Sequence, residues 1–239
     1  MRNPAGLFVR SLVFYLGYVP TTIFMSACFI LLFPLLPARG RHVFASTWCN
    51  TVLLWLRVSC GVTYQIIGRE NIPEQPVIII SNHQSTWETI LFYKLKFPVS
   101  PILKKELMNI PFWGWAMRLQ KPIAIDRSQP REAVKSLLTQ GVDRIKQGYS
   151  VIVFPEGTRS SAGEVRRFSR GGARLAVAAQ APIVPIAHNA GDCWPARKFM
   201  KQPGNIRVVI GEPIAVSAQN ANELTEQTER WIRQQLELR

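Results

Sequence analysis

Between Ser11 and Ala38 the chain carries no charged residue, a run longer than the ~20 apolar positions a helix needs to cross a bilayer core. Pro20, Pro34 and Pro37 interrupt the run, and after Arg39-Gly40-Arg41-His42 a second apolar segment extends from Val43 to Leu56. The pattern predicts two short apolar helices, forming a membrane-anchoring unit over residues 1–60. Arg2 and Arg10 precede the first segment and Arg39 and Arg41 follow it, so the basic bias that orients a spanning helix is missing. Helices whose ends all lie on one side of a membrane satisfy that symmetry. A cleaved leader is the competing expectation, but the run is too long for one and ends in Pro37-Ala38-Arg39 without a small-x-small pair.

From Gly61 onward short apolar runs alternate with helical periodicity. Strands are predicted at Val62–Ile67, Val77–Ile80, Pro101–Leu103, Pro122–Ile125, Ser150–Phe154, Ile183–Ala187 and Ile206–Ile210. Helices are predicted at Ser85–Leu95, Pro111–Leu119, Pro130–Gln147, Gly172–Gln180 and Ala221–Leu238. Such alternation implies an α/β layered domain over residues 61–239, with a largely parallel sheet flanked by helices. Ligands of such sheets sit beyond the carboxyl ends of the strands.

Two of those strand ends carry chemistry. After Val77–Ile80 comes Asn82-His83-Gln84-Ser85-Thr86-Trp87-Glu88, an imidazole and a carboxylate five residues apart at a strand-to-helix junction. A His held by a carboxylate is the simplest device for taking a proton from a hydroxyl near neutral pH. Ser85 to Glu88 also reads as a capping box, in which the Glu reaches back to the backbone N–H of the cap. Relay and cap both remain open for Glu88. After Val151–Phe154 comes Pro155-Glu156-Gly157-Thr158-Arg159-Ser160. Gly157 permits close backbone approach, Thr158 can donate a hydroxyl, and Arg159 can bind two oxygens at once, which suits a phosphate.

Lys and Arg outnumber Asp and Glu by 29 to 15, a formal charge of +14 that calls for an anionic partner. The basic residues are spread from Lys94 to Arg207 and no nucleic-acid-binding signature accompanies them, so a phospholipid surface with a phosphate pocket is expected and nucleic acid is not. Cys28, Cys49, Cys60 and Cys193 lack metal-site spacing and read as buried thiols. Neither a phosphate-binding loop, nor a dinucleotide fingerprint, nor a nucleophile elbow around Ser85 or Ser160 is present, which sets aside nucleotide hydrolysis, hydride transfer and serine hydrolysis. No metal and no cofactor are expected. His188 and His42 lack companions in the sequence and are expected to be structural.

The two loops together resemble the signature blocks of the glycerolipid acyltransferase family, above all its members that act on 1-acyl-sn-glycerol 3-phosphate. The family's first block is His, four residues, Asp; here it is His83 and Glu88, one methylene longer. Pro111-Phe112-Trp113-Gly114-Trp115 and Ile123-Ala124-Ile125-Asp126-Arg127 look like the second block, Phe154 to Ser160 the third, and Ile183-Val184-Pro185-Ile186 the fourth. The resemblance implies transfer of a fatty acyl group from a coenzyme A or acyl carrier protein thioester to the free hydroxyl of a lysophospholipid. His83 would be the general base and Glu88 its orienting acid. Arg127, Arg159, Gly157 and Thr158 would hold the acceptor phosphate, and Glu156 would be associated with the site, ordering Arg159 or the acceptor. Lys105, next to Lys104 between the two halves of the site, would meet the phosphate or the developing oxyanion, or belong to a solvated basic surface. The aromatic segment around Trp113 would wall an acyl tunnel or pack in the core. The resemblance also implies that the apolar hairpin lies in one leaflet, on the cytoplasmic face of the cell's inner membrane. A different acceptor, such as a lyso-aminolipid or glycerol 3-phosphate, and a non-catalytic protein that binds anionic lipid are the alternatives.

Overall fold

The computed structural model describes residues 3–126, 128–216 and 220–238. Helix α1 spans Pro4–Leu32 and α2 spans Ala38–Cys60. Of the three prolines expected to break the apolar run, Pro34 lies in a 3-10 turn at Phe33–Leu35 and Pro37 caps α2, whereas Pro20 sits inside α1. A proline there forfeits one backbone hydrogen bond and costs about 3 kcal/mol. Packing of α1 against α2 on both sides of Pro20 offsets that cost, so the first helix is 29 residues long rather than short.

The two helices form an antiparallel hairpin. Arg10 Nε donates to the Ser59 carbonyl at 2.9 Å, Trp55 Nε1 to the Phe14 carbonyl at 3.0 Å, and Trp48 Nε1 to Thr22 Oγ1 at 3.1 Å. Farther along, the rings of Phe29 and Phe44 lie 5.6 Å apart. A side chain at Gly17 would overlap the Trp55 indole, so only glycine lets the two helices close at this point. At the end of α2 Gly61 turns left-handed, φ 69°, and its N–H returns to the Arg57 carbonyl at 2.9 Å.

The sheet contains β1 Val62–Ile67, β2 Ile78–Ser81, β3 Val99–Lys104, β4 Ile123–Ile125, β5 Ser150–Val153, β6 Ile183–His188 and β7 Gly204–Ile210, in the order β1-β7-β6-β2-β5-β3-β4. The five strands from β6 to β4 run parallel, while β7 is antiparallel to β6 and β1 is parallel to β7. Central strands β2, β5 and β6 are buried along their whole length, which is why they read as continuous apolar runs. Alternate residues serve opposite layers. Ile79, Ile152 and Val184 face a core shared with α1, α2 and α3 (Trp87–Leu95), and Ile78, Ile80, Val151 and Ile183 face one shared with α5 (Pro130–Lys146), α6 (Gly171–Ala179) and α8 (Ala221–Glu237).

All the predicted strands and helices are found, with ends shifted by a residue or two. Helix α7, Ala190–Cys193, has no counterpart among the predicted elements, because a single turn has no periodicity to read. Helix α4, Trp113–Leu119, packs against α1 and leaves Phe112 and Trp115 exposed, so these rings belong to the surface beside the hairpin rather than to the core. Cys49, Cys60 and Cys193 are buried free thiols and Cys28 is half-buried. Because β2 pairs with β5 on one side, Ile80 opposite Val153, and with β6 on the other, Ser81 opposite Ile186, the loops that follow β2, β5 and β6 emerge side by side.

Candidate active site

The chain leaves β2 at Ser81 and the next residue continues the ladder with its side chain. The Asn82 carboxamide donates to the His188 carbonyl at 2.9 Å and accepts the His188 N–H at 3.1 Å, as a further strand residue would. His83 follows, 8% exposed, at the mouth of the sheet. Its main chain is held by the loop after β5: the His83 N–H donates to Glu156 Oε1 at 2.7 Å, and the His83 carbonyl accepts the Ser160 N–H at 2.8 Å. Its ring stacks on Phe154, centroids 4.2 Å apart and planes inclined by 20°, with Phe92 stacked behind Phe154.

Glu88, fully buried in the first turn of α3, points one oxygen back at this loop. Oε1 lies 2.8 Å from His83 Nδ1 and also accepts the N–H groups of Gln84 at 3.0 Å and Ser85 at 2.8 Å. One oxygen therefore makes both contacts, to the His83 ring and to the backbone N–H groups at the start of the helix. The reciprocal half of the box is altered, because the Ser85 hydroxyl accepts from the Trp87 N–H at 3.1 Å rather than from that of Glu88. Two convergent backbone donors fix Oε1 as an acceptor, so Nδ1 of His83 is the donor, and in the neutral ring the lone pair is on Nε2. Burial pushes the Glu88 carboxyl up, but the imidazoles of His188 and His83 and the hydrogen bonds from His83 and the Ser85 N–H outweigh it, leaving the pKa below its ordinary value. The carboxylate is thus ionised at neutral pH, and its second oxygen is buried with no hydrogen-bond partner among the described residues.

Glu156, expected to order Arg159 or the acceptor, makes its hydrogen bonds among the described residues to His83, Ser160 and Arg166. Its Oε1 takes the His83 N–H, and its Oε2 takes the Ser160 hydroxyl and the Arg166 N–H, the latter at 3.0 Å. Oε1 thereby joins the loop after β5 to the loop after β2, and Oε2 ties the loop after β5 to itself. Gly157 turns left-handed with φ 73° and is exposed, Thr158 is half-buried, and the Arg159 Nε–H is buried without a partner among the described residues. An orphaned buried donor beside a glycine turn is a place prepared for an anion.

Lys105 is exposed just past the end of β3, on the strand next to β5, and no contact joins it to His83. Lys104 beside it is paired with Glu106 at 3.1 Å. Arg127, the remaining expected phosphate ligand, lies outside the described residues. Beyond Gly157 opens a cavity of ≈ 720 Å³ with an apolar floor that includes Ile125, Val134 and Leu137 and an arginine rim of Arg167, Arg170 and Arg174. Glu226 and Glu229 share the lining, so its charge is mixed.

Sequence reasoning missed three participants. Phe154 and Ser160 lie in the segment that resembles the third block, but the sequence suggests no role for either side chain. His188, expected to lack companions, is 1% exposed and bound to Asn82 three times over, the third bond running from its Nε2 to the Asn82 carbonyl at 2.9 Å. The only signal in the sequence was a His at the end of an apolar strand.

The chain is similar to proteins of known activity. The acyltransferase family model matches residues 63–189. The chain is 44% identical over 228 residues to the 1-acyl-sn-glycerol-3-phosphate acyltransferase of Pseudomonas aeruginosa, covering 94% of this chain and 89% of that protein. It is 31% identical to the human 1-acyl-sn-glycerol-3-phosphate acyltransferase alpha, covering 88% and 74%. The crystal structure of the 1-acyl-sn-glycerophosphate acyltransferase of Thermotoga maritima superposes with a TM-score of 0.81 at 24% identity, covering 95% of this chain and 93% of that one, and shares its fold.

Proposed function

The chain belongs to the acyltransferase family, and from that premise we propose that it moves a fatty acyl group from a thioester to 1-acyl-sn-glycerol 3-phosphate, giving phosphatidic acid, with His83 as general base. The observation that carries the mechanism is the 2.8 Å contact between His83 Nδ1 and Glu88 Oε1, which leaves Nε2 as the basic nitrogen. Nε2 removes the proton of the acceptor hydroxyl while its oxygen attacks the thioester carbonyl. The tetrahedral adduct then expels the thiolate, which leaves as the thiol after taking that proton back from Nε2. Glu88 stabilises the imidazolium formed in between, and a positioned base of this kind is worth about 10² to 10⁴ in rate. No acyl-enzyme forms. Arg159, with Thr158, Lys105 and Arg127, binds the acceptor phosphate, and the donor is an acyl thioester of coenzyme A or acyl carrier protein.

The hairpin supports a membrane location. Phe8, Leu12, Leu16, Phe24 and Leu31 of α1 are exposed, as are Phe112 and Trp115 beside it. The opposite side of α1 is fixed to the catalytic domain, where Ser11 Oγ accepts the Lys201 N–H at 2.8 Å and Phe14 packs edge-on against Trp194. A helix bound along its flank in this way lies in one leaflet rather than crossing the bilayer, and the excess of basic residues favours the anionic cytoplasmic face of the inner membrane. Drawing a ~15-carbon acyl chain into water would cost about 12 kcal/mol at ~0.8 kcal/mol per methylene, and an enzyme in the leaflet avoids this.

The test is an assay of the purified protein with 1-acylglycerol 3-phosphate, glycerol 3-phosphate and a lyso-aminolipid, each with both donors, for the parent and His83→Ala. Turnover of the first acceptor that falls at least about a hundredfold in the variant is expected. Preference for another acceptor would move the substrate assignment, and a variant within about tenfold of the parent would remove His83 as the base.

A further inference from the structure

The peptide unit between Asn82 and His83 is gripped at both ends, by a side chain from the loop after β5 and by one from the last residue of β6. Its N–H donates to Glu156 Oε1 at 2.7 Å, and its carbonyl oxygen lies 2.9 Å from His188 Nε2. The tautomer of His188 follows from its other nitrogen, since Nδ1 accepts the Ala190 N–H at 3.2 Å and so carries no proton. Nε2–H is therefore the donor to Asn82. The main chain of His188 makes the two bonds to the Asn82 carboxamide already described, and these survive any side-chain change. The imidazole adds something they do not supply, which is the orientation of the plane that precedes His83.

We infer that His188 is a positioning residue for the transfer reaction: its Nε2–H holds the Asn82–His83 peptide plane so that the His83 ring meets both Glu88 and the acceptor hydroxyl. This rests on the reading of His83 as general base. The reasons are geometric. Among the described residues the His83 ring has two other fixed points, the Glu88 oxygen and the face of Phe154, and a ring stacked on a flat neighbour can slide. Rotating the preceding plane carries the Cα–Cβ bond of His83 with it, and a displacement of about 1 Å at a reacting nitrogen costs on the order of a hundredfold. Because the imidazole is 1% exposed and bonded to the Asn82 carbonyl, it acts on His83 through the main chain and not by touching a substrate.

The donor can be removed and restored one nitrogen at a time. His188→Asn places an amide where Nδ1 was, keeping a partner for Ala190 and losing the donor to Asn82. His188→Gln reaches the Nε2 position and keeps that donor. His188→Phe keeps the packing against Phe92, whose ring lies 5.8 Å from that of His188, and loses both nitrogens. The expected result is that the Asn and Phe variants lose about tenfold to a hundredfold in kcat with acceptor KM within about threefold, while the Gln variant recovers to within about threefold of the parent. Equal losses in the Asn and Gln variants, or losses that vanish when rates are normalised to folded protein, would overturn the inference. Activity retained by His83→Ala would instead remove the base on which it rests, so the two failures are read from different variants.

Discussion

Glu156 is joined to His83 through the main chain, not the ring: Glu156 Oε1 accepts the His83 N–H at 2.7 Å across 73 residues of sequence. Its other oxygen holds Ser160 and Arg166, so one carboxylate ties the loop after β2 to the loop after β5. Glu156→Gln puts an NH₂ group where at least one backbone N–H needs an acceptor, whichever way the amide turns. The Ser160 hydroxyl can reverse its role, but the N–H groups of His83 and Arg166 cannot. The expected loss is about 1–3 kcal/mol of stability together with a fall in kcat. Thermal unfolding and initial rates check this, and an unchanged thermal midpoint would mean the tie contributes nothing.

Glu88→Gln leaves an oxygen able to receive Nδ1–H of His83 and the N–H groups of Gln84 and Ser85, and removes the charge. The helix start should survive, with stability changed by about 1 kcal/mol or less. The imidazolium formed during transfer loses its counter-charge, so kcat should drop by more than about tenfold with little change in acceptor KM. Near-parental kcat would leave Glu88 with its capping role alone.

Arg159 offers a test in which stability and binding move in opposite directions. Its buried, unpartnered Nε–H is a cost to the free protein. Arg159→Met should raise the thermal midpoint of the free protein, and raise the acceptor KM by about tenfold or more if the guanidinium binds the phosphate. A raised midpoint with unaltered KM would place the phosphate elsewhere.

Lys201 fastens α1 to the catalytic domain and yields a pH prediction. It is fully buried, its Nζ donates to the Tyr15 hydroxyl at 2.8 Å and to the carbonyls of Lys198 and Phe199, and it lies over the rings of Tyr15 and Trp194. Burial lowers its pKa to about 8, with the thiol of Cys60 opposing slightly. In the unfolded chain a lysine titrates near 10.4, so between about 8 and about 10.4 unfolding takes up a proton, and raising the pH favours the folded state. Below about 8 both states are protonated and the penalty for the buried charge is felt in full. The thermal midpoint of the parent, compared with that of Lys201→Met, should therefore move in the parent's favour from about pH 7.5 to about pH 9.5, and a pH-independent difference would contradict it.

The hairpin predicts how the protein leaves a membrane. Burial of apolar α1 residues is insensitive to salt, whereas purely electrostatic attachment is screened within a Debye length of about 3 Å at 1 M. Release should need detergent and resist a high-salt wash. Replacing Phe24 and Leu31 with Ser should shift part of the protein to the soluble fraction, since both side chains are exposed and neither helps close the hairpin.

Much of this protein is written locally. The continuous apolar runs of β2, β5 and β6, the helical period between them, and the spacing from His83 to Glu88 are properties of short segments, and the physics that reads them, burial on two faces and one turn of helix, acts over a few residues. The length of α1 was misread because proline propensity is also local, and the contacts that outweigh it at Pro20 come from α2. The roles of Glu156 and His188 could not be read at all. Their partners are backbone groups at Asn82 and His83, which any sequence possesses, and they meet only because β2 is registered against β5 on one side and β6 on the other. That register is set by the packing of whole helices across both faces of the sheet. The sequence alone determined which groups could do chemistry; the tertiary structure decided which of them hold His83 still, because a backbone hydrogen bond between distant loops has no signature until the strands beneath it are paired.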